Sequence, residues 1–555
     1  MKHKCKVACL QVKAREYKDR NLTENNILEM IDTAGRENAQ LLVLPEAVYP
    51  VYYLSSLFVK DPDEFNNSTL NLIKKIKRKA KKYQCYIAFG FVENDQKNKK
   101  LYNAAMLVNT EGKEILRARK SYLWHFDADW FSSGIDFTVA KTEFGKVGMF
   151  ICADGRLPEI PRCLSLNGAN IMLDLTNWVT GGFKKENLSN PQAEYMVPVR
   201  AMENQAWIIA ANKVGLEANS ILYCGKSAVF TPQGEIAKMA TSYKEEILYY
   251  EIPLKSIESK ETDEMDFQNE RRPELYGILT LPNKNTPIYS LMMEKKSRNC
   301  SPLFTAVTQL DFNTNFKDYL NQIIFSIKNM IQQKAKLIIL PENQFIFPEK
   351  GKDIIERICK VFQDKKAMIA ISVIERIEEK YFKTTFLLYS GKIIGKYRKT
   401  HLDNNEKELL KPGDLGLPVF HTPYGNIGIM IGYEGYYPEI ARVLSLKGAE
   451  IIIWPSKFGK DQQVKISQCR SSENKIFIAC SNSISGKGNG HSLITSPSGH
   501  VLSACLENKE QSCMASLLLQ LSLNKNIVPN TDVIINRNPK KYQILIQERE
   551  AKIEN

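Results

Sequence analysis

The sequence predicts an α/β protein made of two tandem copies of one domain, and three observations carry that expectation. The chain has 555 residues, more than a single compact core ordinarily holds at ~100–200 residues per domain. It matches itself once, at an offset of about 280 residues. Within each copy, short apolar runs alternate with amphipathic helical stretches, which is how a sheet covered by helices reads.

The repeat is explicit. VGMFICADGRLPEIPRCLSLNGANIMLDLTNW (147–178) lies without a gap on IGIMIGYEGYYPEIARVLSLKGAEIIIWPSKF (427–458). AQLLVLPEAVYP (39–50) matches AKLIILPENQFI (335–346), and ILRARKSYL (115–123) matches IGKYRKTHL (394–402). PVRAMENQAWIIAAN (198–212) matches SQCRSSENKIFIACS (467–481), and RRPELY (271–276) matches RNPKKY (537–542). Blocks that keep their order over the whole chain mark a duplication. The domains are read as 1–285 and 301–555 with 286–300 between them, inside a polar connecting stretch over 255–300.

Each copy opens with an apolar run, an amphipathic helix and a second apolar run. In the second copy Phe316, Leu320, Ile323, Ile324, Ile327 and Ile331 mark one helical face. LLVLPE and LIILPE are too short for helices and end at proline, as buried strands do. YIAFGFVE (86–93) and AMIAISVIE (367–375) read as further strands. Before the first of these, Lys74, Lys75, Lys77, Arg78, Lys79, Lys81 and Lys82 surround Leu70, Ile73, Ile76 and Ala80. That spacing gives a surface helix with a solvated lysine face.

Composition narrows the function classes. Lys+Arg exceed Asp+Glu by 76 − 62 = 14, yet the excess is spread along the chain without a zinc-finger or RNA-binding signature, so no nucleic-acid partner is expected. No run approaches the ~18 apolar residues of a membrane helix, so no membrane partner is expected either. The opening MKHKCKVACLQV interleaves lysines with its apolar residues and reads as lacking a secretory leader, which makes a cytoplasmic location the expectation. Twelve cysteines without a C-x-x-C pair read as reduced thiols. Neither a metal nor a cofactor is expected.

Three residues of the first copy end strand-like runs, where side chains can converge: Glu46 in LPEAVYP, Lys120 in RARKSYLWHFD and Cys152 in VGMFICADGR. A carboxylate can take a thiol proton, and an ammonium can stabilise the thiolate and then the oxyanion formed on attack at a carbonyl. So can the N–H of Ala153. Singly, each residue has an ordinary structural reading; the joint pattern is what points to chemistry.

Those motifs, LPE, RK-x-x-L and strand–Cys followed by PE-I-x-R, resemble the nitrilase, or carbon–nitrogen hydrolase, superfamily over nearly the whole chain, twice. The resemblance implies a four-layer α-β-β-α sandwich for each copy, with the two packed as an internal pseudo-dimer and a further homo-oligomer left open. It implies Glu46 as general base, Lys120 as oxyanion-stabilising lysine and Cys152 as nucleophile. The family's second glutamate, seven residues before a glycine, is kept as Glu406 in the second copy. In the first copy Asp127 stands there, with Asp129 a substitute. Cys152-Ala153-Asp154, in place of the Cys-Trp-Glu of true nitrilases, resembles the amidase and carbamoylase branches.

Arg156 is read as a contact for a substrate carboxylate, or else as the partner of Asp154 or Glu159. Trp124, Trp130, Tyr49, Tyr52, Tyr53 and Trp178 are read as pocket lining or core, with Tyr49 and Trp178 the chosen substrate contacts. In the second copy Gly432 replaces the nucleophile while Glu342, Lys399 and Glu406 remain, giving a degenerate site that supports, gates or binds a ligand. The expected activity is thiol-dependent hydrolysis of a non-peptide C–N bond in a small amide or N-carbamoyl compound. Acyl transfer, nitrile hydrolysis and a noncatalytic scaffold are the alternatives.

Overall fold

The computed structural model describes residues 4–54, 62–134, 136–255, 266–294, 301–312, 315–342, 348–459, 461–486 and 488–548. Cys300 and parts of the connecting stretch lie outside them. Two compact units form, one from residues 1–263 with 528–531, the other from 264–527 with 532–555. Residues 264–285, read from the sequence with the first copy, therefore group with the second unit.

The first unit is built on two six-stranded sheets. One runs in the order β15-β1-β2-β3-β4-β5, from β1 (Lys4–Gln11), β2 (Leu41–Val43), β3 (Tyr86–Asp95), β4 (Lys100–Val108), β5 (Glu114–Arg119) and β15 (Glu246–Pro253). The other runs β14-β13-β10-β8-β7-β6, from β6 (Val139–Thr142), β7 (Gly145–Ile151), β8 (Ile171–Leu175), β10 (Trp207–Ala211), β13 (Ala228–Phe230) and β14 (Ile236–Met239). The apolar runs of β1, β2 and β3 pair in parallel at Val7–Leu41 and Leu41–Tyr86. β7, β8 and β10 do the same at Val147–Ile171 and Trp207–Ile171. Parallel strands buried on both faces read as unbroken hydrophobic runs, as these do. A smaller sheet joins β9 (Val179–Thr180), β11 (Val214–Glu217) and β12 (Ile221–Cys224).

Helices α1 (Arg20–Arg36) and α2 (Pro62–Tyr83) cover the first sheet. Ile27, Ile31, Leu72 and Ile76 pack with Leu10, Leu42, Ile87 and Phe89 in one core. The second sheet carries α4 (Glu159–Leu166) and α5 (Val197–Asn204). The buried stripe of α2 is Phe65, Thr69, Leu72, Ile73, Ile76 and Ala80, and Leu70 stands 47% exposed. At 100° per residue, 65, 69, 72, 76 and 80 share a face and 70 falls off it. The lysine face is solvated only in part, because Lys75 pairs with Glu24 and Lys79 with Asp32 (2.6 Å) of α1.

The second unit repeats this plan. One sheet runs β20-β19-β18-β17-β16-β27, from β16 (Leu303–Gln309), β17 (Leu337–Ile339), β18 (Met368–Ile377), β19 (Lys380–Tyr389), β20 (Lys392–Arg398) and β27 (Gln511–Leu517). The other runs β21-β22-β23-β24-β25-β26, from β21 (Val419–Thr422), β22 (Gly425–Ile429), β23 (Ile451–Ser456), β24 (Phe477–Asn482), β25 (Leu493–Thr495) and β26 (Val501–Ala504). The helix Phe316–Gln332 buries Tyr319, Ile323, Ser326, Ile327 and Met330, with Phe316, Leu320, Ile324 and Ile331 at the margin. One repeat block moves by a residue. Asn212 Oδ1 accepts from Trp178 N–H at 2.9 Å, and Asn482 Oδ1 accepts from Phe458 N–H at 2.7 Å. The segment equivalent to 198–212 is thus 468–482. Among the described residues, no helix is long and apolar enough to cross a membrane.

Truncating Ile76 to Ala should cost about 2–4 kcal/mol, because the cavity opens in a packed layer. Leu70→Ala should stay within about 0.5 kcal/mol of the parent. Denaturant titration of the two variants checks both values.

Candidate active site

The site forms where three strand ends of the first unit meet. After β2 the chain turns sharply through Pro45, Glu46 and Ala47, the last at φ 35°. The turn lies so close on β3 that a Cβ at Gly90 would sit 2.5 Å from the Pro45 oxygen, so only glycine fits there. This delivers Glu46, fully buried, into the interior. Its Oε1 accepts from Asn103 Nδ2 and from Lys120 Nζ, both at 2.7 Å. Its Oε2 has no protein donor. Asn177 Nδ2 holds the Glu46 carbonyl at 3.0 Å.

Lys120 follows β5 directly. Its N–H bonds the Asn103 carbonyl (2.8 Å) and its carbonyl accepts from Gly134 N–H (2.7 Å). The ammonium is fully buried between Glu46 and Asp127, 2.6 Å from Asp127 Oδ2. Asp127 opens the short helix α3 (Asp127–Trp130). Its Oδ2 also takes Trp124 N–H (2.9 Å), and its Oδ1 takes the Tyr52 hydroxyl (2.8 Å). Asp129 is exposed, so Asp127 is the carboxylate facing the lysine.

Cys152 terminates β7 at φ 49°, a strained backbone angle for a residue with a side chain. Its N–H meets Asp174 Oδ1 (3.1 Å) and its carbonyl accepts from Gln192 Nε2 (2.8 Å). Ala153 follows inside the same short turn, Cys152–Arg156. Asp154 ties this turn to the lysine loop by accepting the N–H groups of Ile151 (3.0 Å), Ser121 (3.0 Å) and Tyr122 (2.7 Å).

The electrostatics follow from this packing. Burial raises the Glu46 carboxyl above its ordinary range; Lys120 opposes the rise and the Asp127 charge adds to it. Burial would lower the Lys120 ammonium, but Asp127 and Glu46 outweigh it and hold the group well above its usual value. Burial and the Glu46 charge push the Cys152 thiol up, against Lys120. These shifts favour the protonated thiol and make the Glu46 carboxyl more basic than usual, the combination a general base requires. Burial also lifts Asp154 to about 6, against its three N–H donors, and puts Asp174 well above the carboxylate range.

The structure sorts the remaining candidates. Arg156 is 8% exposed with its guanidinium carbon 4.7 Å over the Trp124 ring. It pairs with neither Asp154, whose oxygens serve backbone N–H groups, nor Glu159; its Nε lacks an acceptor. Trp178 is buried with no acceptor for its indole N–H. Tyr49 does not line the site. It packs with Phe89, Phe91 and Leu72 in the core between the first sheet and its helices, because its turn faces it outward. Tyr53 lies at the edge on Phe126 and Trp130. Sequence reading did not single out Asn103, Asp174, Asn177 and Gln192. Asn177 was accessible, since the ungapped block sets it against Lys457.

A model of the Carbon-nitrogen hydrolase family matches residues 6–261 and 304–522. The chain belongs to that family. It is a carbon–nitrogen hydrolase with two copies of the family domain. A nitrilase of Pyrococcus abyssi is 30% identical over 234 residues, covering 39% of this chain and 89% of the relative. An N-carbamoylputrescine amidase of Solanum lycopersicum is 26% identical over 226 residues, covering 36% and 75%. An amidase structure from Nesterenkonia sp. has a TM-score of 0.40 at 19% identity, covering 47% of this chain and 96% of that one. Four-layer sandwiches are the fold of both halves of this hydrolase.

In the second unit Lys399 and Glu406 meet as Lys120 and Asp127 do, with Lys399 Nζ 2.9 and 2.7 Å from the two Glu406 oxygens. A second buried ammonium, Lys383, lies 2.7 Å from both Glu342 and Glu406. It takes the place of Asn103, as its carbonyl accepts from Lys399 N–H (2.9 Å). Burial would raise Glu342, but Lys383, Lys399 and Lys457 bring it below the ordinary value. Gly432 keeps the φ of Cys152, at 48°. A Cβ there would lie 2.1 Å from Glu342 Oε2, so the carboxylate has moved into the thiol's space. Trp454 Nε1–H bonds the Gly432 carbonyl (3.0 Å) where the first unit has Asp174. Tyr433, Tyr436 and Tyr437 pack around Phe267, with Tyr436 stacked at 5.0 Å.

Gly432→Cys should therefore gain no reactive thiol. It should destabilise the protein by about 1–3 kcal/mol, the usual penalty for overpacking. Thiol titration of the native protein together with its thermal midpoint checks this, and a new fast-reacting thiol at unchanged stability would contradict it.

Proposed function

We propose that the first unit hydrolyses the C–N bond of a small amide or N-carbamoyl compound that also carries a carboxylate, through a thioacyl-enzyme on Cys152. The observation that carries this reading is the pairing of two features in one interior. Glu46 has a basic, undonated oxygen and its charge acts on the Cys152 thiol, and the Arg156 guanidinium, four residues on, has no carboxylate partner among the described residues. A buried cation without a counter-ion is costly, and a bidentate carboxylate on the substrate supplies one.

The chemistry proceeds in two halves. Glu46 Oε2 takes the thiol proton as sulfur attacks the carbonyl carbon. The oxyanion gathers at the Ala153 N–H and at Lys120, whose three ammonium protons include one not committed to Glu46 or Asp127. The C–N bond breaks as protonated Glu46 gives its proton to the departing ammonia or amine, leaving a thioester. Water then surrenders a proton to Glu46 and attacks the thioester. The carboxylic product leaves, and the proton returns to sulfur.

Cys152→Ala should abolish turnover, and intact-mass spectrometry should find an acyl adduct only on proteins that keep Cys152. Because the raised Glu46 carboxyl must be ionised to act, activity should fall as pH drops through a midpoint above the ordinary glutamate value of ~4.3. Asn103→Leu removes a hydrogen bond that holds Glu46 down and should move that limb to higher pH; a limb left in place would rule out Glu46 as the base.

Arg156→Leu should raise KM for carboxylate-bearing amides by about ten- to a hundredfold, the loss of a charge-assisted pair. Neutral amides of the same size should be nearly unaffected. Equal effects on both sets would remove the carboxylate from the substrate description.

A further inference from the structure

We infer that Tyr52 is a positioning residue, its buried hydroxyl standing in for the methylene and the second contact that Asp127 lacks beside a glutamate. The inference rests on the reading of Glu46, Lys120 and Cys152 as the reacting set. Tyr52 is 2% exposed and donates to Asp127 Oδ1 at 2.8 Å. Burial and the neighbouring Asp127 charge hold its phenol well above the usual value, so it remains a donor at every working pH.

The second unit provides the comparison. Glu406, one methylene longer, reaches Lys399 with both oxygens, and no phenol touches it among the described residues. Asp127 reaches Lys120 with one oxygen. Its other oxygen would point into the interior without a donor were Tyr52 absent, and a buried charged acceptor without a donor loses its fixed place.

Tyr52 is itself held from behind. Glu217 Oε1 accepts the N–H groups of Tyr52 (3.0 Å) and Tyr53 (2.7 Å). Glu217 Oε2 accepts the Tyr223 hydroxyl (3.1 Å) and pairs with Lys213 (3.3 Å). Lys213 in turn donates to the Ala47 carbonyl (3.1 Å), the residue after Glu46. One buried ion pair thus braces both the turn carrying the base and the ring that fixes Asp127. A tyrosine serving only to fill space would not need its backbone and its hydroxyl both anchored to charges.

Iodoacetamide tests this without knowledge of the substrate. The Cys152 sulfur displaces iodide to form an S–CH₂ bond, and the thiol proton passes to Glu46 and then to solvent. Peptide mapping by mass spectrometry reads the labelling rate at Cys152. Tyr52→Phe, which keeps the ring, should label about ten- to a hundredfold more slowly. Tyr52→Phe with Asp127→Glu should recover most of that loss, since a glutamate reaches its lysine with both oxygens and without a phenol in the second unit. An unchanged rate in Tyr52→Phe, or a loss that Asp127→Glu does not restore, would overturn the inference. Should wild-type Cys152 stay silent to the reagent, the catalytic reading fails instead. A crystal structure of Tyr52→Phe then decides the positioning role: Lys120 leaving Asp127 supports it, and an unmoved pair refutes it.

Discussion

The ammonium of Lys120, with no exposed surface and a carboxylate on either side, constrains everything around it. A charge so deep survives only with partners at contact distance, so Glu46 and Asp127 cannot drift without leaving it stranded. Their positions depend in turn on where β2 ends, where β5 ends and where α3 begins. The turn bearing Cys152 is fixed to the same point, because Asp154 clasps the N–H groups of Ser121 and Tyr122, the two residues after the lysine. Glu46, Lys120 and Cys152 are therefore placed by one buried ion cluster and one carboxylate clamp rather than by separate loops.

The two units show what that cluster does with and without a thiol. In the first, two carboxylates face one ammonium, and the surplus negative charge adds to burial in making Glu46 more basic. In the second, Lys383 replaces Asn103, two ammoniums face two carboxylates, and Glu342 falls below its ordinary value. Glu342 is thereby favoured in its charged form, and its carboxylate rests against Gly432. The ion network is kept because a buried charge is tolerated only with an opposite charge at contact distance, whether or not chemistry follows. The clamp is kept for the same reason, with Glu434 accepting the N–H groups of Ile431 (2.7 Å) and Thr400 (2.6 Å).

Much of this was legible in the sequence. Strand ends marked by proline or by a chemically special residue announced Glu46, Lys120 and Cys152, and the duplication revealed Gly432 at once. The supporting residues were harder to see. Asn103 sits inside β4 with no local signature; its role exists only once β3 and β4 bring it beside Glu46. Tyr49 and Tyr52 lie in a turn without a period, so nothing in the spacing says that one faces the helices and the other Asp127. Leu70 was placed by counting threes and fours from the wrong origin, because the stripe that begins at Phe65 runs through Leu72. The one-residue shift near 468 arose in a polar helix, where apolar spacing gives little register.

Charge also orders the two ends of the proposed substrate. The Glu46–Lys120–Asp127 cluster is net negative, so a second anion brought to the sulfur would be repelled at short range in a poorly screened interior. The end that reacts must then be neutral, as an amide or carbamoyl group is. An anionic end can bind only where a separate cation waits, and Arg156, stacked on Trp124 and unmatched by any described carboxylate, is such a cation. In the second unit the equivalent residue is Tyr436, uncharged and stacked on Phe267. The buried guanidinium of that position is thus missing from the same unit that lacks the thiol, whereas a buried lysine network is present in both.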